Sequence, residues 1–388
     1  MRFNVFHNMP YGELPDDFDE KYDTASLVFP NRYYDPQKGA KYYERYLDEL
    51  EYCERLGYDS VCINEHHQSA YGLMPSPNII AAALARRTHK IQIAVMGNAI
   101  ALRDHPLRVA EEIAMLDAIT NGRIISGFVR GIGYEYYAQS LNPTKSLSRF
   151  REAHDLIVKA WTTREPFEWV GDNYEFRYVN VWPRCVQEPH PRIWVPGTGS
   201  RETMEWVAKH RYDYFTVYAP RRVLHSWFGT FRDACAREGY EPEPENIGLS
   251  VPIYVAETDE QAEAEARPHL EWLYSKGLRI RPKHYFPAGY MSEGSWRGLL
   301  SNNSKQLHEL SFEELLDLEY AFIGSPKTVI ERLGDFLGDL GVGNINAVLH
   351  FGDMPHYKTI KNLEMFANHV MPVLKAQAGA AKRPMAAE

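Results

Sequence analysis

The residues Asn64-Glu65-His66-His67 follow directly on a short β-branched apolar run, Asp59-Ser60-Val61-Cys62-Ile63. Such a run reads as a buried strand, so a carboxylate and two imidazoles stand where a strand ends. Histidine titrates near neutral pH and can donate, accept or orient a proton. Side chains alternate across a strand. If Cys62, Asn64 and His66 share one face, His66 points to the interior and His67 packs outward. Two other readings compete. The histidines could ligate a metal, but they are adjacent, and no carboxylate–histidine spacing elsewhere completes a site, so no metal is expected. Both could also be buried, hydrogen-bonded structural residues.

Three further stretches carry candidate binding residues. In Gly127-Phe128-Val129-Arg130-Gly131-Ile132-Gly133, an arginine between glycines at a strand end can grip a phosphate through two parallel hydrogen bonds. The alternative is an arginine tied to a carboxylate of the fold. In Val195-Pro196-Gly197-Thr198-Gly199-Ser200-Arg201-Glu202-Thr203, a strand gives way to a helix whose free amides, with the Ser200 and Thr203 hydroxyls, form an anion site. Simple N-capping by Ser200 would look the same. No Gly-Lys-Ser/Thr follows and the third glycine of the dinucleotide fingerprint is missing. Arg130 and this segment together point to one phosphate group, hence a mononucleotide. Met96-Gly97-Asn98-Ala99 ends another strand, where a Gly-Asn pair suggests unusual backbone beside a ligand.

Strands must present these residues on one face. Strand patterns lie at 2–8, 59–65, 91–98, 123–130, 192–197, 213–218, 249–256 and 345–351, with helical patterns such as 38–57, 76–88, 107–120, 145–162, 201–210, 221–238, 259–276, 326–340 and 357–375 between them. Ser76-Pro77 and Ser325-Pro326 offer a cap followed by proline at the first helical position. Eight strands alternating with helices predict a (β/α)8 barrel of TIM type, with a doubly wound sheet as runner-up. One domain is expected over 1–376, with insertions at 10–37 and 277–320 that leave or cover the C-terminal face and a disordered tail at 377–388. The net charge of -9 argues against a nucleic-acid or anionic-membrane binder. No apolar run approaches the roughly 20 residues of a membrane span, and the N-terminus lacks a signal-peptide core. Four cysteines without a CxxC pair indicate neither disulfides nor zinc, which suits a cytoplasmic protein.

The chain resembles the bacterial luciferase-like, flavin-dependent monooxygenases. The resemblance runs through Leu56-Gly57-Tyr58-Asp59-Ser60-Val61, Glu65-His66-His67, His105-Pro106-Leu107-Arg108-Val109-Ala110-Glu111-Glu112, Leu116-Asp117, Asn121-Gly122-Arg123, Val129-Arg130-Gly131 and the Gly197–Ser200 segment with Glu205-Trp206. Weaker similarity reaches Gly324-Ser325-Pro326 and the last strand and helix. Residues 10–37 and 277–320 match poorly and should hold substrate specificity.

The resemblance implies a barrel that binds FMN with its phosphate near strands four to six. It also implies a separate reductase that supplies FMNH2 from NAD(P)H, and reaction with O2 through a C4a-peroxyflavin that oxidises a small organic substrate. On it, His66 is the active-site histidine, and Arg130, Ser200 and Thr203, with Gly199, form the phosphate shell. Gly97-Asn98 falls where the family often has a non-prolyl cis peptide under the isoalloxazine ring. The reactive cysteine of luciferase itself is replaced here by Val129, which argues against light emission and leaves monooxygenation standing. Two alternatives stay open: a deazaflavin-dependent hydride-transfer enzyme on the same fold, and a non-catalytic flavin-binding protein. Such chemistry needs a dry site, and Tyr285, Phe286, Tyr290 and Trp296 could form a lid over a flat or aromatic substrate. Ala81-Ala82-Ala83 and Ala110, Ala114 and Ala118 permit close helix approach, so a homodimer or homotetramer is expected.

Overall fold

A computed structural model describes residues 1–290 and 306–381. The eight apolar runs become eight parallel strands: β1 (Arg2–Phe6), β2 (Ser60–Ile63), β3 (Gln92–Ala99), β4 (Ile124–Val129), β5 (Ile193–Pro196), β6 (Asp213–Val217), β7 (Ile247–Val255) and β8 (Asn344–Val348). Each pairs with the next in chain order and β8 closes on β1, so the sheet is the expected barrel with helices around it.

Alternation along each strand feeds two cores. Phe3, Val5, Val61, Ile63, Ile93, Val95 and Ile345 face the helices, while Phe6, Cys62, Ala94, Ile125, Trp194 and Phe215 fill the barrel. Lower in the barrel the filling is polar and closed on itself. Asn4 Nδ2 donates to Asn344 Oδ1 (2.7 Å) and Asn346 Oδ1 (3.0 Å), and Ser60 Oγ donates to Asn4 Oδ1 (2.7 Å). Every one of these buried side chains has a partner, as burial requires.

One ladder is irregular. Between Val95 and Asn98 the β3–β4 register slips, and the Met96–Gly97 peptide is cis. A Cβ on Gly97 would sit 2.6 Å from the Gly127 carbonyl, and one on Gly127 would sit 2.2 Å from the Val95 oxygen. The two strands approach so closely there that only glycines fit. The cis bond precedes Gly97, one peptide before the Gly97-Asn98 pair singled out in the sequence.

The helices begin largely as their sequences suggest. Pro77 and Pro326 open Pro77–Arg87 and Pro326–Leu340; Ser325 Oγ accepts from the Thr328 N–H (3.4 Å), whereas Ser76 makes no side-chain cap bond. Several elements went unread in the sequence, among them the short helices Phe18–Lys21, Pro282–Tyr285 and Phe312–Asp317, and three others bear on the site or the sheet. These are the hairpin Phe167–Val170 and Glu175–Val179, the short helix Gly133–Ala138, and the strand Phe322–Gly324, which pairs with β7. The tail expected to be disordered from 377 is instead helical through Ala381, because the alanine-rich Met371–Ala381 favours helix. The end of that tail and part of the 277–320 insertion lie outside the described residues.

The two insertions meet over the strand C-termini. Asp19 pairs with Lys276 (3.3 Å) and Arg279 (3.2 Å), and Asp23 with Arg281 (2.8 Å). Among the described residues, no helix is long and apolar enough to cross a membrane.

Candidate active site

β2 ends at Ile63, so residues 64–67 lie in a loop and strand parity no longer governs them. What separates the two histidines is their partners. His67 Nε2 lies 2.7 Å from Glu65 Oε1, and the Gln139 amide is 3.2 Å from Nδ1. The amide donates to Nδ1 and Nε2–H donates to the carboxylate, so both ring nitrogens are engaged. The other Glu65 oxygen accepts from Arg103 (2.7 Å) and the Ala99 N–H (3.1 Å). His67 therefore does not pack outward. It is held inside a buried network that ties the loop to the end of β3.

His66 differs. Its N–H donates to the Met74 carbonyl (3.1 Å), and its ring tilts on Tyr71 at 5.0 Å between centroids. Nδ1 lies 3.2 Å from Glu135 Oε1, and Glu135 Oε2 accepts from the Ile132 N–H at 2.7 Å. A carboxylate only accepts, so Nδ1 carries the proton and Nε2 presents its lone pair. Among the described residues, no hydrogen bond engages Nε2.

Tyr71, Tyr218 and Tyr274 gather beside His66, above the interior core. Burial pushes the Tyr71 and Tyr274 hydroxyls well above their ordinary range, so they act as neutral polar groups. Tyr71 OH accepts from Asn8 Nδ2 (3.0 Å), and Asn64 Nδ2 donates to Asn8 Oδ1 (2.6 Å). Asn64 Oδ1 is buried and has no hydrogen-bond partner among the described residues.

Arg130 and the Gly199–Thr203 segment leave neighbouring strands, since β4 pairs with β5. Arg130 leaves the end of β4 with its guanidinium 4.3 Å from the Tyr290 ring centroid, and among the described residues no carboxylate pairs with it. From β5, Gly199 adopts φ +82, which places Ser200 to cap Arg201–His210. Ser200 Oγ accepts from the Thr203 N–H (3.4 Å). A cation and the amino end of a ten-residue helix, leaving neighbouring strands, are donors of the kind that suit a phosphate dianion. Asn98 is placed otherwise. Its Nδ2 donates to Asn78 Oδ1 (3.2 Å) on the helix Pro77–Arg87, so its side chain belongs to the outer layer and only backbone is offered near Gly97.

Two other histidine clusters draw notice for metal binding and are read as hydrogen-bonded structure. His7, Glu49 and His350 lie close together at the ends of β1 and β8. The Met9 N–H donates to His7 Nδ1 (2.9 Å), so His7 Nε2 carries its proton to Glu49 (3.0 Å) and has no lone pair for an ion. His154 has both nitrogens engaged, by Asp155 (2.8 Å) and Tyr212 OH (2.9 Å). A polar groove of about 650 Å³ beside His154 lies in the outer helix layer, away from the strand ends. Much of its charge is self-paired, Glu205 with Arg201 and Arg237, and it offers no convergent chemistry.

Glu135, Tyr71 and Gln139 were not read from the sequence. The only signal was a carboxylate inside the tyrosine-rich stretch Gly133-Tyr134-Glu135-Tyr136-Tyr137, just past Arg130.

A family model described as luciferase-like monooxygenase matches residues 25–343. The oxygenase component of flavin-dependent trigonelline monooxygenase from Acinetobacter baylyi is 25% identical over 355 residues, spanning 89% of this chain and 94% of that protein. The 2,5-diketocamphane 1,2-monooxygenase 1 of Pseudomonas putida is 24% identical over 351 residues, spanning 83% and 91%. Among solved structures, monooxygenase RslO1 from Streptomyces bottropensis aligns with a TM-score of 0.73 at 25% identity, covering 96% of this chain and 99% of that one.

Proposed function

The chain belongs to the luciferase-like monooxygenase family, and from that premise we propose that it is the oxygenase component of a two-component system, using FMN reduced elsewhere to oxidise a small organic substrate with O2. The observation that supports this reading is that neighbouring strands end in a cation and a helix amino end, while β2 is followed by a histidine whose Nε2 has no hydrogen-bond partner among the described residues. Arg130 and the first turn of Arg201–His210, with Gly199, Ser200 and Thr203, would hold the phosphate. The Gly97 backbone would lie along the ring system.

Reduced FMN, when bound, supplies the electrons that activate O2. The chain's own residues do the rest. His66 Nε2 accepts or returns a proton at the reacting atoms. Tyr71 and Tyr274, both buried, with Tyr218 packed against them, would give the site flat, neutral walls that suit an uncharged ring. The clasped insertions exclude water, with Tyr290 lying over Arg130. Trp296, expected in the same cover, lies outside the described residues.

The partner is an NAD(P)H:flavin reductase, which places the protein in the cytoplasm. The chain acts as a single domain over 1–376 and assembles as a homodimer. Ile79, Met115 and Ile119 leave apolar surface on Pro77–Arg87 and Leu107–Thr120, the helices with alanine-rich faces.

Fluorescence titration with FMN and with a deazaflavin cofactor tests the reading. Saturable quenching is expected with FMN alone. Binding of the deazaflavin and not of FMN would overturn it. The purified protein with FMN should also oxidise NADH far below the enzymatic median of about 10 per second until a reductase is added.

A further inference from the structure

We infer that Glu135 is a positioning residue that fixes the tautomer of His66 and thereby decides which nitrogen faces the reacting atoms. The inference rests on the reading of His66 as the proton-handling group.

The Glu135 side chain is 1% exposed and held from two sides. Oε2 accepts from the Ile132 N–H (2.7 Å), the reach-back of an N-terminal acid to the residue that starts its own helix. That bond sets the carboxylate without help from His66. Oε1 is left over and is turned to His66 Nδ1 at 3.2 Å. If Glu135 served only to close the helix end, one oxygen would suffice and nothing would aim the other at the ring.

The rest of the His66 surroundings leave the ring little freedom. Tyr71 lies against it, and a Cβ on Gly72 would be 3.1 Å from its Cδ2. The insertion covers the Glu135 helix as well, since a Cβ on Gly133 would fall 2.2 Å from the Tyr285 carbonyl. When Nε2 takes a proton, the Nδ1–H stays on Glu135, so the ring keeps its orientation through the transfer. The same bond holds the neutral ring with Nε2 bare. One residue thus sets both orientation and tautomer.

Glu135→Gln discriminates this role from helix capping. Its amide oxygen can keep the Ile132 bond, which leaves the NH2 facing Nδ1. Nδ1 must then accept, and the ring proton moves to Nε2. The readout is 15N NMR of histidine-labelled, cofactor-free protein with the ring neutral, His66 being assigned by its loss in His66→Asn. The wild type should show Nδ1 protonated and Glu135→Gln the reverse, with FMN affinity unchanged. Coupling of flavin oxidation to product should fall about 10–100-fold, by analogy with partners that orient metal-bound imidazoles. Glu135→Asp, which keeps an acceptor, should return the wild-type tautomer. The same tautomer in wild type and Glu135→Gln, or a wild-type proton on Nε2, overturns the inference. That result stands apart from the cofactor reading, which fails only if FMN does not bind.

Discussion

Two histidine–carboxylate assemblies sit at the strand ends, and they use the same chemistry to opposite purposes. Around Glu49, which is 1% exposed, His7 (3.0 Å), His350 (3.1 Å) and His356 (2.8 Å) all converge on one carboxylate, with Arg45 at 3.5 Å. Around Glu135 there is one histidine, whose second nitrogen has no partner among the described residues. The first assembly consumes the carboxylate's capacity and ties the helix Pro36–Arg55 to β1 and β8. The second spends one bond on orientation and leaves a group that can react. Residue type alone does not distinguish structure from chemistry; the partners do.

The largest expected effect breaks the structural side. Burial works to raise the Glu49 carboxyl, but His350, His356 and His7 outweigh it and hold it well below the ordinary carboxylate range. Removing it strands buried donors, so Glu49→Ala should cost about 3–5 kcal/mol of stability. Equilibrium unfolding in urea checks this, and a loss below about 1 kcal/mol would be too small for a buried pair.

On the chemical side, His66→Ala should fold and bind FMN, because the phosphate residues lie on other strands. Its turnover should drop about 10²–10⁴-fold, with flavin electrons leaving as hydrogen peroxide. His67→Ala should keep coupling and lose stability, since His67 is a member of the Glu65 network. Peroxide assays and thermal melts on both variants read the contrast. The opposite pattern would exchange their roles.

Acidification sharpens the comparison further. Burial holds His350 down to about 4, from an ordinary 6.5. Between those values the unfolded chain binds a proton that the folded protein refuses, so stability should fall as pH drops from 6.5 towards 4. His210, also pushed down to about 4 by burial, acts in the same direction. Glu49 extends the loss at still lower pH. His350→Gln should flatten the slope of stability against pH in this window without abolishing it; an unchanged slope would count against the assignment.

The sequence exposed the barrel because each strand is a short apolar run that must be buried on both faces, and eight such runs leave few architectures. The strand-to-helix turn after β5 was legible for a similar reason: glycines and a capping hydroxyl announce it. The choice of His66 over His67 agrees with the geometry, although the parity behind it does not apply, since β2 stops at Ile63. Glu135 was out of reach. Its role depends on a contact 69 positions away in the chain, made by a six-residue helix too short to show a period. The hairpin Phe167–Val170 and Glu175–Val179 escaped because its two strands are half-exposed and carry no apolar run.

On the proposed reading the barrel mouth grips a single phosphate, and riboflavin, which is FMN without it, isolates that grip. Binding of FMN and riboflavin to wild type and Arg130→Ala, followed by fluorescence, makes the test. Wild type should prefer FMN, and Arg130→Ala should lose about 1–3 kcal/mol on FMN with riboflavin affinity unchanged. An equal FMN preference in both proteins would contradict the assignment of the phosphate to Arg130, and no preference in wild type would contradict the single-phosphate grip itself.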